Sequence, residues 1–314
     1  MASDVVIRPL READLPAASL ICRRAFGTFL GAPDPGTFWA DREYVRSRWR
    51  TDPAAALAAE VDGSLVGSNL VTRWGSFGFF GPLTVEPAWW NQRVAQRLLG
   101  ATVDLLDGWR VKDAALFTFA HSPRHIHLYQ RFGFWPRFLT AVLSKSPTAQ
   151  PPVPWSRYAE ATDDDRHTIV DCCRGLTDAI YDGLDVGSEI RSVYEQRLGD
   201  TVLLGSGDAL DAFAVCHLGA GTEAGEDTCY IKFGAVRPGA DAERVFGQLL
   251  SACETLAAQQ GLHRLEAGVN LNRSRAYRAM LQRGYRADMY GISMHRPDSP
   301  AYNGPDVYVV DDLR

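Results

Sequence analysis

The stretch Val85–Leu99 (VEPAWWNQRVAQRLL) returns 151 residues later as Val236–Leu250 (VRPGADAERVFGQLL). In that register Val85 and Val236, Pro87 and Pro238, Arg93 and Arg244, Val94 and Val245, Leu98 and Leu249, and Leu99 and Leu250 are identical. Gly133 in QRFGF and Gly284 in QRGYR fall at the same offset. Two separate motifs in one register argue for a duplicated domain. A chain of 314 residues accommodates two domains of ordinary size, and 46% hydrophobic residues supply a core for each.

Each copy reads as strand, turn, helix. Phe77–Val85 (FGFFGPLTV) is apolar, aromatic and β-branched, as a buried strand should be. Pro87 ends the ladder. Val94, Leu98, Leu99, Val103, Leu105 and Leu106 then recur at roughly helical spacing. A turn that feeds a helix N-terminus presents unpaired N–H groups and the positive end of the helix dipole, a setting suited to phosphate.

The rest of the chain gives each half a mixed α/β organisation, a sheet with helices on its faces. Val5–Leu10 reads as a strand. Helices are predicted from about Leu15 to Leu30 and over Trp39–Trp49. Ala55–Val61 and Leu65–Trp74 form a hairpin around Asp62-Gly63. Ala114–Ala120 is a buried strand, His125–Phe132 a short helix closed by Gly133, and Phe138–Ser144 a last strand. The boundaries so read are residues 1–146, a Pro-rich linker at 147–156, a second domain at 157–296 and a tail at 297–314. In the second domain the predicted elements are helix Asp163–Tyr181, hairpin strands Thr201–Leu204 and Ala212–Leu218, strand Thr228–Val236, helix Asp241–Gln259, strand Arg264–Val269, helix Arg273–Arg283 and strand Met289–His295. The tail ends VYVVDDLR, suited to an added edge strand whose place the sequence does not give.

A net charge of −5 with no basic run argues against general nucleic-acid binding. Cys22, Cys172, Cys173, Cys216, Cys229 and Cys253 contain no CxxC pair and sit mostly in apolar runs, as reduced buried thiols do. The opening MASDVVIRPL lacks a charged-then-apolar signal, and no apolar run would span a bilayer. The expected setting is the cytoplasm, without membrane attachment. His121, His125 and His127 cluster, but Pro123 breaks their helical phase and no cysteine or acidic ligand lies near in sequence, so no metal is expected.

The element order, the V-x-P stretch with its following loop, and Tyr129, Gly133 and Phe134 in the pattern Y-x-x-x-G-F resemble the GNAT superfamily of acyl-CoA-dependent N-acyltransferases. The resemblance runs through nearly the whole chain, twice, and implies two GNAT-like domains in tandem. The family loop is Q/R-x-x-G-x-G/A; here Trp90 stands at its first position, Arg93 at its first glycine and Ala95 at its second. A glycine lets phosphate approach the backbone, so Arg93 must swing its side chain aside or bond phosphate itself. In the second copy Asp241 and Glu243 put like charge at the loop, Phe246 is bulky at the small position, and Met280 replaces Tyr129. That copy reads as degenerate.

The resemblance implies a co-substrate, acetyl-CoA or another acyl-CoA, held by Leu83, Thr84 and Val85, by Asn91, Gln92, Arg93, Val94, Ala95 and Gln96, and by Ser122, which is equally placed to be an N-cap. Tyr129 is the expected acid for the departing thiolate. His121 is a candidate base, with a solvent-facing strand end as its plainer role, and Glu86 is a rival base or a surface carboxylate. Trp39, Trp49, Trp74, Trp89, Trp90 and Trp135, six of the tryptophans of the first half, suit core packing foremost, and an aromatic cleft for a flat or apolar amine besides. The expected reaction is direct attack of a small-molecule or peptide amine on bound acyl-CoA, by a monomer or homodimer. Two alternatives stand beside it: a non-catalytic GNAT-like binding module, and a transferase using another acyl or aminoacyl donor.

Overall fold

The computed structural model describes residues 4–148, 152–206 and 209–314; residues 149–151 of the expected linker lie outside them. The first half runs β1 (Val6–Pro9), α1 (Leu15–Leu30), α2 (Val45–Thr51), β2 (Ala56–Val61), β3 (Ser64–Trp74), β4 (Phe77–Phe80), β5 (Thr84–Val85), α3 (Val94–Gly108), β6 (Asp113–Phe119), α4 (Pro123–Gln130) and β7 (Trp135–Lys145). The second half continues with β8 (Ser156–Arg157), α5 (Asp163–Ile180), α6 (Gly187–Glu195), β9 (Gly199–Ser206), β10 (Ala209–Leu218), β11 (Thr228–Val236), α7 (Ala242–Gln259), β12 (Arg264–Asn270), α8 (Ser274–Gln282), β13 (Arg286–Arg296) and β14 (Val309–Val310).

Among the described residues the strands form one continuous mixed sheet in the order β1-β2-β3-β4-β6-β13-β7-β12-β11-β10-β9-β8. The repeat survives in its register. Phe77 pairs in parallel with Asp113, and Thr228, 151 residues on, pairs with Arg264, likewise 151 on. The final strand of each half lies in the other half's portion of the sheet: β13 pairs with β6, and β7 with β12. Where β7 and β13 meet, Thr140 faces its own repeat partner Gly291, so a local twofold passes between them. The two halves therefore share hydrogen-bonded strands, and each core depends on a strand from both.

Three local features depart from the sequence reading. The strand expected over Phe77–Val85 is two strands, because Gly81–Pro82 interrupts it and a proline supplies no ladder N–H. The helix expected over Trp39–Trp49 begins only at Val45, residues 35–41 being turns. Those turns press on α1, where a Cβ on Gly27 would lie 2.6 Å from Pro35 Cα. The tail strand β14 is not at an edge but pairs with β11 inside the second half. The hairpin turn is as read, with Asp62 and Gly63 both at positive φ.

A buried charge network joins α2 to the second half. Arg48 holds Glu223 through two hydrogen bonds of 2.7 and 2.8 Å, and Lys232 Nζ lies 2.8 Å from both Glu223 and Glu189. Burial alone would raise the pKa of Glu189, but the Lys232 ammonium, with His217 Nε2 3.9 Å away, brings it down to about 2. The network matters to the cleft because a further Arg48 nitrogen donates to the Gly81 carbonyl at 2.6 Å.

Candidate functional site

Parallel pairing of β4 with β6 stops at Phe79 and Ala115. Beyond it β4 breaks, β5 leans onto β3 by pairing with Gly67 and Ser68, and the two strands part. The N–H of Leu83, between β4 and β5, has no hydrogen-bond partner among the described residues. The gap opens into a cleft of about 800 Å³.

One end of the cleft is the turn into α3. Asn91 and Arg93 both adopt the left-handed conformation, at φ 66° and 63°. Arg93 thus holds a backbone shape that glycine adopts freely, at the steric cost that a Cβ brings there. Its exposed side chain makes no hydrogen bond or ion pair with a described residue. Among the described residues the N–H groups of Val94, Ala95 and Gln96 have no partner in the first turn of α3, and helical bonding begins with Arg97 N–H to Arg93 O. Unpartnered amides with a helix dipole behind them attract an anion. Arg93, Arg124 and Arg131 line the same cleft, and Arg124 lies over the Trp90 ring at 5.9 Å.

Of the residues expected to hold the cofactor, Leu83, Thr84, Val85, Asn91, Arg93, Val94, Ala95 and Gln96 line this cleft together. Gln92 and Ser122 do not. The Gln92 side chain turns back to Ala88 O at 3.1 Å. Ser122 is buried and caps α4, its Oγ accepting from His125 N–H at 3.4 Å. The Val85 carbonyl already accepts from Trp90 Nε1 at 2.8 Å, which fixes that indole against the turn.

Tyr129 stands in the cleft wall on α4, packed with Phe80, and its hydroxyl has no protein partner among the described residues. Burial pushes its pKa up to about 12, so it stays protonated at neutral pH. Phe134, fully buried, packs edge-on to Phe80 and anchors the end of the short helix. His121 lines the cleft with its ring stacked on Phe29 at 6.0 Å. His125 lines it as well; burial first, then Arg124 and His121, lower its pKa, so the imidazole is neutral at pH 7. Glu86 lies outside the lining and approaches Arg24 at 3.8 Å.

The far end is aromatic. Phe26 and Phe29 from α1, Trp39 from the turns, Tyr44 and Phe119 form a chain of ring contacts 4.9 to 6.2 Å apart. Among the described residues no aspartate or glutamate lines the cleft. Tyr290, Leu313 and Arg314, from the second half and the tail, complete the wall. Sequence reasoning did not find these three. Tyr290 sits on the exchanged strand, and no local pattern marks what residues 313 and 314 will pack against.

Residues 24–134 match the family model described as the Acetyltransferase (GNAT) family. No curated protein matches the chain in sequence. Among solved structures, an acetyltransferase so described from Pyrococcus horikoshii is similar with a TM-score of 0.70 at 13% identity, over 97% of this chain and 93% of that one. A GCN5-related N-acetyltransferase from Sphaerobacter thermophilus gives 0.60 at 15% identity, over 93% and 95%. A tandem GNAT protein from the clavulanic acid biosynthesis pathway gives 0.56 at 11%, over 93% and 98%. At these identities the likeness is one of fold. No helix among the described residues is long and apolar enough to cross a membrane.

Proposed function

From a chain that carries a GNAT acetyltransferase domain in a tandem GNAT fold, we propose an acyl-CoA-dependent N-acyltransferase, with acetyl-CoA as the donor and its active site in the first half. The carrying observation is the unpartnered amide turn at Val94–Gln96, shaped by a left-handed Arg93, in one cleft with the free hydroxyl of Tyr129. The diphosphate of the donor lies on these amides, with Arg93 and Arg124 beside it. The pantetheine arm follows Leu83–Val85 into the gap between β5 and β6. The Leu83 N–H is a free donor for the oxyanion of the tetrahedral intermediate.

The amine attacks the thioester carbonyl as its free base. His121, or neutral His125 four residues on, takes the ammonium proton directly or through water. Collapse of the intermediate expels the CoA thiolate, which Tyr129 protonates. The acceptor end is walled by Phe26, Phe29, Trp39 and Tyr44, and no acidic side chain there recruits a polycation. This supports an amine carried on a planar, uncharged body.

Transfer from acetyl-CoA to a panel of arylalkyl and polycationic amines tests the reading. Turnover of 2-phenylethylamine or tryptamine over spermidine is expected, with kcat falling about 10²-fold in Tyr129→Phe. Absence of acetyl-CoA binding at millimolar concentration would remove the enzyme reading. Binding without transfer to any amine would favour a binding module, for which neither loop's lack of glycine is an obstacle.

A further inference from the structure

The second half has the same splayed strands as the first, but something already lies between them. Gly234 and Ala235 stand 151 residues after Leu83 and Thr84, and they pair antiparallel with Val310 and Val309 of β14. The Tyr308 carbonyl takes the N–H of Val236, the repeat partner of Val85, at 3.1 Å. We propose that the tail occupies, in the second half, the place an acyl-CoA arm takes in the first, leaving one cofactor site per chain, and that Leu313 and Arg314 close the acceptor end of that site. The inference rests on the acyl-CoA reading for the identity of the ligand displaced, not for the position of the tail.

The fit is close on both sides. A Cβ on Gly268 of β12 would lie 2.2 Å from the Cβ of Asp312, so a glycine is needed for the tail to lie there. Arg273 stands at the repeat position of Ser122 and grips the tail from below: its guanidinium pairs with Asp311 at 2.8 Å and donates to Val309 O at 3.0 Å and to Asn303 Oδ1 at 2.9 Å. Tyr230 donates to Asp312 at 2.8 Å. The other parts of a donor site are missing as well. Helix α7 starts at Ala242, so Arg244, the repeat partner of Arg93, is helical and the left-handed turn does not form. Met280, at the position of Tyr129, is fully buried.

The tail then crosses into the first half. Leu313, at φ 57°, turns the chain, and Leu313 and Arg314 line the first cleft beside Tyr44. One guanidinium ties this end to the strand break: Arg48 donates to Gly81 O at 2.6 Å and also to the Arg314 main-chain oxygen. The Arg314 guanidinium is held by Glu266 at 2.5 Å and Asp312 at 3.0 Å.

Calorimetry with acetyl-CoA is expected to give one site per chain; two sites overturn the proposal. Hydrogen exchange at the amides of Val309 and Val310 should be slow and unchanged by saturating acetyl-CoA; rapid exchange, or loosening on addition of the donor, overturns it. If no acetyl-CoA binds, the acyl-CoA reading fails, and the exchange rates alone still decide the tail's position. For the acceptor end, Leu313→Cys or Arg314→Cys is treated with bromoacetyl-CoA, whose carbon a thiolate attacks with loss of bromide. Label at the substituted position, suppressed by excess CoA, is the expected result. A variant that binds acetyl-CoA like the wild type and carries no label at 313 or 314 refutes that placement.

Discussion

Arg93 offers a way to separate backbone shape from side-chain charge. It sits at φ 63°, ψ 13°, where a residue with a Cβ costs about 1 kcal/mol more than glycine. A β-branched residue fits this region worse, by roughly a further 1–2 kcal/mol. The Arg93 side chain has no protein partner among the described residues, so replacing it breaks no contact. Arg93→Gly and Arg93→Val therefore remove the same charge and differ only in how readily the turn forms. If the amides of Val94–Gln96 hold the diphosphate, Arg93→Gly keeps the acetyl-CoA Kd within about threefold of wild type. Arg93→Val weakens it about tenfold, the equivalent of about 1.4 kcal/mol. The glycine variant should also be as stable as the wild type or up to about 1 kcal/mol more so, less a few tenths for its more flexible unfolded chain. Calorimetric titration with acetyl-CoA and urea unfolding supply both numbers. Equal loss of affinity in the two variants would show that the guanidinium carries the phosphate and that the turn's shape does not matter.

Three further outcomes follow from named side chains. Phe29→Ala removes the ring that contacts Phe119, His121 and His125, and should raise the KM for an arylalkyl amine about tenfold while the KM for acetyl-CoA moves less than twofold; equal changes in both would place the acceptor elsewhere. Glu223→Gln leaves Arg48 and Lys232 short of a buried counter-charge and should destabilise the fold by about 3–5 kcal/mol in urea unfolding, a loss under 1 kcal/mol contradicting the role given to the network. His295 is buried, neither ring nitrogen is bonded to a described residue, and burial lowers its pKa to about 4. The unfolded chain therefore binds the extra proton first: stability is full above pH 6.5 and falls by about 3 kcal/mol as pH drops to 4, and His295→Leu should flatten that slope.

The duplication was legible because packing preserves it: the helix of each repeat buries Leu98 and Leu99, or Leu249 and Leu250, at the same positions. The turn before α3 was legible too, from Pro87 and the helical spacing that follows it; the left-handed backbone of Arg93 was not, because an arginine carries no local signal for positive φ. Strand exchange was not. β7 and β13 are local repeats of one another, and nothing in their alternation says which neighbour each will pair with, least of all where Thr140 meets Gly291. The break in Phe77–Val85 had a visible signal in Pro82, outweighed by the apolar run around it. Glu86 drew notice by its closeness in sequence to the strand end, yet its side chain approaches Arg24 outside the cleft. The tail's position depends on contacts across hundreds of residues, such as Arg48 with Arg314, and no local pattern encodes them.

A crystal structure with bound acetyl-CoA tests the central claim most directly. The diphosphate should lie within hydrogen-bond distance of the Val94, Ala95 and Gln96 amides, and the thioester sulfur should face the Tyr129 hydroxyl between β5 and β6. A cofactor seated in the second half, or one whose sulfur lies far from Tyr129, would contradict the account.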